Sequence, residues 1–267
     1  DTIQKLENVD FDSLEHATQA YLAKQNTKPQ AACYAVAATV EGDSVKLPNY
    51  NWQFTTQSLA KATGCNHVIL MNDWQAIGHA ANFFKENDVM PCFPERKQAG
   101  NVSAMCGPGT GLGTSIVHHI EGRNHIITSE AQHMTFTPRT PHQKLIYRYL
   151  SHRFGHVSWE RVVSGPGLSD SYQAFCGEKI SAEEVTHRAL NGEPLANTVV
   201  QAFADSLAHF AGNLALTVLS RGGVYLGGGI LPQILELIDW NRFDEAFTDK
   251  GRFRGLLATI PMYVIKH

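Results

Sequence analysis

Several short stretches of this sequence bring together residue types that can act on a phosphate or a polyol. Asn72 and Asp73 close the apolar run HVILM. A carboxylate at a strand end can accept a proton from a hydroxyl while the amide beside it orients that hydroxyl, although an Asn-Asp pair is equally the composition of a helix cap. The run Gly107-Pro108-Gly109-Thr110-Gly111-Leu112-Gly113-Thr114 places four glycines within seven residues, with two threonines. Such a backbone can approach an anion closely, point N–H groups at it and add hydroxyl donors. No Gly-Lys-Ser/Thr follows, as a Walker loop requires, and no helix opens on it, as a dinucleotide fingerprint requires. The structural alternative is a tight β-hairpin turn.

Glu130 and His133 form a Glu-x-x-His in SEAQHMTF, and Glu160 lies in HVSWERVV. One such pair without a third ligand nearby is a weak metal signal, and no metal site is expected. The same side chains suit sugar hydroxyls, because carboxylates accept paired hydrogen bonds and an imidazole donates or accepts. For Glu160 the alternative is a solvated charge in the first turn of a helix, where the helix dipole favours it. Gly227-Gly228-Gly229 follows the apolar VYL and precedes ILPQILEL. A glycine run at a strand-to-helix junction admits a flat ring or a phosphate to the backbone, and it also suits a tight turn with positive φ.

The elements that must position these residues follow from the pattern of apolar residues. DFDSLEHATQAYLAKQ reads as a capped amphipathic helix, and AACYAVAATV and HVILMND as buried strands. WQAIGHAANFF reads as a helix, so Asn72 and Asp73 lie at the carboxyl end of a strand, where ligands bind in open α/β sheets. The Pro-containing DVMPCFPERKQAG marks a domain boundary, with residues 1–83 expected as one lobe and 84–267 as the other. In the second lobe VSAMC, TSIVHHI and HIITSE read as strands, the last two joined as a hairpin through EGRN. A long helix runs from Pro194 and stops at Arg221-Gly222-Gly223. VYLGGG reads as a strand, LPQILELIDW as a helix and PMYVIKH as a closing strand.

The 267 residues are 43% hydrophobic and 18% charged, with a formal net charge of −3. Nothing approaches the roughly 18 apolar residues of a membrane span, and no overall basic field exists to attract nucleic acid. Neither membrane nor nucleic acid is expected as a partner. The five cysteines are scattered with no Cys-x-x-Cys pair, which fits a reducing cytoplasm. The first lobe offers two strands, too few for an independent α/β sheet, and the chain, opening on DTIQKLENVD, is expected to belong to a longer protein.

Taken in order, NDW, GPGTGLG, the Glu-x-x-His segment, GHVSWERVVSGPGL, FAGNLAL, GGVYLGGGILP and DKGRF resemble the bacterial glucokinases of the hexokinase, actin and heat-shock ATPase superfamily. The resemblance covers nearly the whole chain. It implies an α/β, two-lobed actin-like (ribonuclease H-like) fold, a small α/β lobe plus a larger α+β lobe, closing over glucose. It also implies transfer of a phosphoryl group from ATP, with Mg²⁺, to the glucose 6-hydroxyl. By position, Asp73 matches the catalytic base. Asn72, Glu130, His133 and Glu160 match residues that hold the sugar, as does Asn49 in PNYNW. Gly109, Thr110 and Gly111 match a phosphate loop, and Gly227, Gly228 and Gly229 the adenosine side. The family is often dimeric.

Two departures accompany the resemblance. The family's opening hairpin with Asp-x-Gly-Gly-Thr and its closing Asp-Asn-Pro-Gly-Leu-Leu-Gly stretch with a helix do not occur in these residues, which leaves a sugar-binding or regulatory homologue without turnover as an alternative. Ala131 and Gln132 stand where the family has Gly-Gly, so a different hexose is a second alternative. The related repressor/open-reading-frame/kinase family carries a Cys-rich zinc motif that these cysteines do not match.

Overall fold

The computed structural model describes residues 3–26, 28–40, 42–47 and 50–266. Asn49 lies outside the described residues. The chain divides into two compact units, Asp1–Ile77 and Gly78–His267, whereas the composition placed the divide at 83/84.

In the first unit, helix α1 (Leu14–Leu22) starts where the Ser13 side chain accepts a hydrogen bond from the backbone N–H of His16, a standard N-cap. Strands β1 (Ala31–Val36), β2 (Ser44–Lys46) and β3 (Gln53–Thr55) follow, then helix α2 (Thr56–Thr63), strand β4 (His67–Asn72) and helix α3 (Asp73–Ala80), within which the divide at Ile77/Gly78 falls. β1 and β4 pair in parallel from Ala31↔His67 to Val36↔Asn72, and β2 and β3 form a short antiparallel pair. A reciprocal cap between Thr55 and Ser58 opens α2; this helix and the β2–β3 pair are absent from the sequence expectation. Val45, Trp52, Phe54 and Leu59 form the buried core, with Leu14, Tyr34, Val36, Val68 and Leu70 packed on it.

β1 and β4 were expected to be buried strands, and they are not. Their side chains alternate, so Tyr34, Val36, Val68 and Leu70 face the core while Cys33 is exposed and Ile69 is 56% exposed. The pleat sends successive residues to opposite faces, and among the described residues only one face of this two-stranded sheet meets a core.

The second unit contains strands β5 (Val89–Pro91), β6 (Val102–Pro108), β7 (Leu112–Ile120) and β8 (Arg123–Thr128), then helices α4 (Pro141–Phe154), α5 (Trp159–Val162), α6 (Gly165–Cys176), α7 (Ala182–Leu190) and α8 (Pro194–Val218). Strand β9 (Gly223–Leu226), helices α9 (Leu231–Ile234), α10 (Trp240–Thr248) and α11 (Arg254–Leu257), and strand β10 (Met262–Ile265) complete it. One mixed sheet runs β5-β10-β9-β6-β7-β8. β6, β9 and β10 are mutually parallel at its centre, and β6, β7 and β8 form an antiparallel meander. The β7–β8 turn places Glu121 and Gly122 at φ of 51° and 75°, the backbone that matches strand twist in a two-residue hairpin.

α8 is buried on all sides over most of its 25 residues and packs on α10, α7, α6 and β6. A helix apolar all round belongs in the middle of a core. Two expectations are corrected here. α8 ends at Val218 with Leu219 in the left-handed region, not on the glycines. Gly222 instead gives its N–H to the Val102 carbonyl, at the entry to β9. The LPQILELIDW segment is not one helix: α9 is a single turn, a 3-10 turn covers Leu235–Leu237, and Asp239 then caps α10 through the N–H groups of Asn241 and Arg242.

Candidate active site

In the first unit β4 delivers Asn72 and Asp73 to the start of α3. Asn72 Oδ1 accepts from the backbone N–H of Trp74 at 2.9 Å and of Gln75 at 3.3 Å, and its amide donates to the Ala38 carbonyl at 3.4 Å. Asn72 is therefore the helix cap of the pair. Asp73 Oδ1 also accepts from the Trp74 N–H, at 2.9 Å. The cap reading and a chemical role are compatible, because Asn72 satisfies the helix end and the carboxylate is held in one orientation against the backbone.

In the second unit the glycine-rich run is a hairpin turn. β6 extends through Pro108 and β7 begins at Leu112, so the loop is Gly109-Thr110-Gly111, with the Gly109 N–H donating to the Gly111 carbonyl at 2.7 Å. Glu160 lies in the first turn of α5, capped by Ser158, and its Oε2 accepts the Leu112 N–H at 3.1 Å. That contact explains Gly111: a Cβ there would sit 2.6 Å from Glu160 Oε2. With glycine at this position the carboxylate comes up to the loop without having to shift.

From Glu160 a row of polar side chains runs outward. Its Oε1 is 3.8 Å from His133 Nδ1, and His133 Nε2 is 3.6 Å from Glu130 Oε2. Glu130 and His133 side chains are 53% and 57% exposed. Beneath them Gln132 is buried, its amide donating to Glu130 Oε2 at 2.5 Å. Acceptor, imidazole and acceptor in sequence suit the adjacent hydroxyls of a polyol.

The Thr114 hydroxyl, one of two expected donors in the loop, is buried and turned inward to the Ser129 carbonyl and Gln132 Oε1, each at 2.7 Å. Its strand direction decides this: Thr114 lies two residues into β7, past the turn. Just before the loop, burial pushes the Cys106 thiol up to about 12, so no thiolate is offered at this strand end.

On the other side of the turn a cavity of about 410 Å³ is lined by Gly109, Thr110, Ser169, Thr186, Gly229 and Gln233, among others. The start of α6 borders it, where the Gly165 N–H donates to the Gly109 carbonyl at 2.8 Å. The backbone of Gly109 and Gly229 is open, with free space where a side chain would begin. Gly227 and Gly228 do not line the cavity. Gly227 gives its N–H to the Cys106 carbonyl, and Gly228, at φ +86°, packs so closely that a Cβ would lie 2.3 Å from the Pro108 carbonyl oxygen. Sequence reasoning missed Ser169, Thr186 and Gln233, because their helical positions carry no motif and only the fold brings them beside the glycines.

Comparison with known proteins adds an independent line. The family model described as Glucokinase matches residues 1–267. A glucokinase of Yersinia enterocolitica serotype O:8 is 35% identical over 266 residues, covering 97% of this chain and 82% of its own length. One from Neisseria meningitidis serogroup C is 36% identical over 264 residues, covering 96% and 80%. The crystal structure of a glucokinase from an Antarctic psychrotroph superposes with a TM-score of 0.84 at 28% identity, over 99% of this chain and 84% of that one.

Proposed function

We propose that this chain, which belongs to the glucokinase family, transfers the γ-phosphoryl group of ATP to the 6-hydroxyl of glucose. Its fold is the two-lobed, actin-like α/β fold of that family. The observation that carries the reading is the Glu160 carboxylate on the N–H of Leu112, the residue that closes the glycine loop. That bond joins the row of side chains suited to sugar hydroxyls to the loop suited to phosphate oxygens.

In this reading Glu130, His133 and Glu160 hold glucose hydroxyls, with Asn72 and Asn49 as further sugar contacts. Asp73 takes the proton of the attacking 6-hydroxyl. A positioned base of this kind contributes roughly 10²- to 10⁴-fold to a rate. Gly109, Thr110 and Gly111 form the phosphate loop, with the Gly109 N–H already given to the Gly111 carbonyl. Of Gly227, Gly228 and Gly229, assigned to the adenosine side, Gly229 borders the cavity and the other two shape the turn that carries it. The open backbone at Gly109 and Gly229, beside a cavity of about 410 Å³ that mixes apolar Leu168 and Ile230 with polar Ser169, Thr186 and Gln233, fits a nucleotide. Phosphoryl transfer depends on positioning and charge stabilisation more than on covalent chemistry. Mg²⁺ bound with ATP would supply charge neutralisation at the phosphates. Among the described residues no group of three or more His, Cys, Asp or Glu side chains forms a metal site. A cytoplasmic setting and a homodimer belong to the same reading.

The test is product identification. Incubated with MgATP and glucose, the protein is expected to form ADP and glucose 6-phosphate in equal amounts, followed by phosphorus NMR. Glucose binding with no ADP formation would support a regulatory sugar-binding protein instead.

A further inference from the structure

Gln132 stands between Glu130 and His133 in the chain, yet it is buried whereas both neighbours are half exposed. Its amide group bridges two partners. Nε2 donates to Glu130 Oε2 at 2.5 Å, and Oε1 faces the Thr114 hydroxyl at 2.7 Å. The orientation of the amide is fixed by chemistry: reversed, it would press its carbonyl oxygen against a carboxylate oxygen, two acceptors with no proton between them. The Thr114 hydroxyl has one proton to offer to Gln132 Oε1 and the Ser129 carbonyl, each at 2.7 Å. It sits on β7, a central member of the β6–β7–β8 meander. The segment that carries Gln132 is a single 3-10 turn, Ala131–His133, further tied by the His133 N–H to the Glu130 carbonyl. So short a turn does little to hold a long, half-exposed glutamate side chain in one rotamer, and that ordering costs entropy.

We propose that Gln132 is a positioning residue for Glu130, tethering its carboxylate through Thr114 to the sheet so that it meets the sugar preorganised. The inference rests on the glucokinase reading, in which Glu130 holds a glucose hydroxyl. Hydrogen bonds to a charged group are stronger than neutral ones, and preordering a side chain removes a cost otherwise met on binding. The effect belongs to sugar affinity and not to ATP.

The experiment compares Gln132→Leu, of similar size without the amide, with Thr114→Val and the double variant. It reads KM for glucose and for ATP, kcat, and glucose Kd by calorimetry. Gln132→Leu is expected to raise glucose KM and Kd about tenfold with ATP KM unchanged. Thr114→Val should act in the same direction, more weakly, and the double variant should be no worse than Gln132→Leu, since the two act through one chain of bonds. A folded Gln132→Leu protein with glucose Kd within about twofold of wild type overturns the inference, as does a parallel rise of both KM values with a fall in Tm. If Gln132→Leu does not fold, Thr114→Val decides alone, and an unchanged glucose Kd there overturns it. Wild-type protein that binds no glucose overturns the site reading and this inference together, whereas wild-type binding with an unaffected variant removes only the inference.

Discussion

Glu160 and Gly111 are closely paired in the site. Gly111→Ala would place a methyl group 2.6 Å from Glu160 Oε2, so the carboxylate must shift, and its bond to the Leu112 N–H is expected to weaken or break. Losing a hydrogen bond to a charged group costs roughly 1.5–3 kcal/mol, or about 10- to 100-fold in binding. The expected result is a rise of that order in glucose KM, measured beside thermal unfolding to show that the fold persists. An unchanged glucose KM would mean that Glu160 does not hold the sugar. Glu130, His133 and Glu160 could be chosen from the sequence because their types suit hydroxyls and because they fall within motifs. Gln132 was visible only as a polar residue where the family has glycine. Its burial and its bond to Glu130 depend on Thr114, eighteen positions away, and no local pattern carries such a contact.

At the scale of elements, α8 shows how a buried titratable group marks a core helix. His209 is only 5% exposed. Facing it are Asp205 on the same helix and Arg139, Asp249 and Lys250 from segments packed against it. Burial first, and Lys250 next, lower its pKa from 6.5 to about 4. The folded state therefore refuses a proton that the unfolded chain accepts below its own, higher pKa. The stability contributed by the neutral imidazole is complete above pH 6.5 and is lost as the pH falls toward 4. His209→Gln should flatten the decline of Tm across that window relative to wild type; parallel curves would show that this histidine is not the group involved.

The long α8 was legible because its apolar residues continue for many turns after Pro194. α9 was misread for a related reason. LPQILELI has helical composition, but Asp239 caps a new helix, and the chain must turn before reaching it. The α2 helix was written in its Thr-x-x-Ser cap, a signal that the short polar stretch TTQSLAKAT obscured.

For the molecule as a whole, the order of motifs along the chain carried the family, and a single motif would not have done so. Asp73 by itself reads as part of a helix cap, and Asn72 is indeed the cap. The glycine loop by itself reads as a hairpin turn, which it is. Function is not an alternative to these structural roles but is built on them. What the sequence did not carry is which residues meet: that Glu160 closes on the loop, that Thr114 turns inward, and that only Gly109, Thr110 and Gly229 of the glycine-site residues line the cavity. Such contacts depend on strand register and helix packing, which side-chain pattern specifies only in part.

Asp73→Asn tests the central claim most directly. The substitution keeps an oxygen able to accept the Trp74 N–H, as Asp73 Oδ1 does at 2.9 Å, and removes the group that takes the proton. The measurement is kcat for glucose-dependent ADP formation. A fall of about 100-fold or more is predicted, with glucose KM within about threefold of wild type. A kcat equal to that of the wild-type protein would contradict the assignment of Asp73 as the base that makes this chain a glucose kinase.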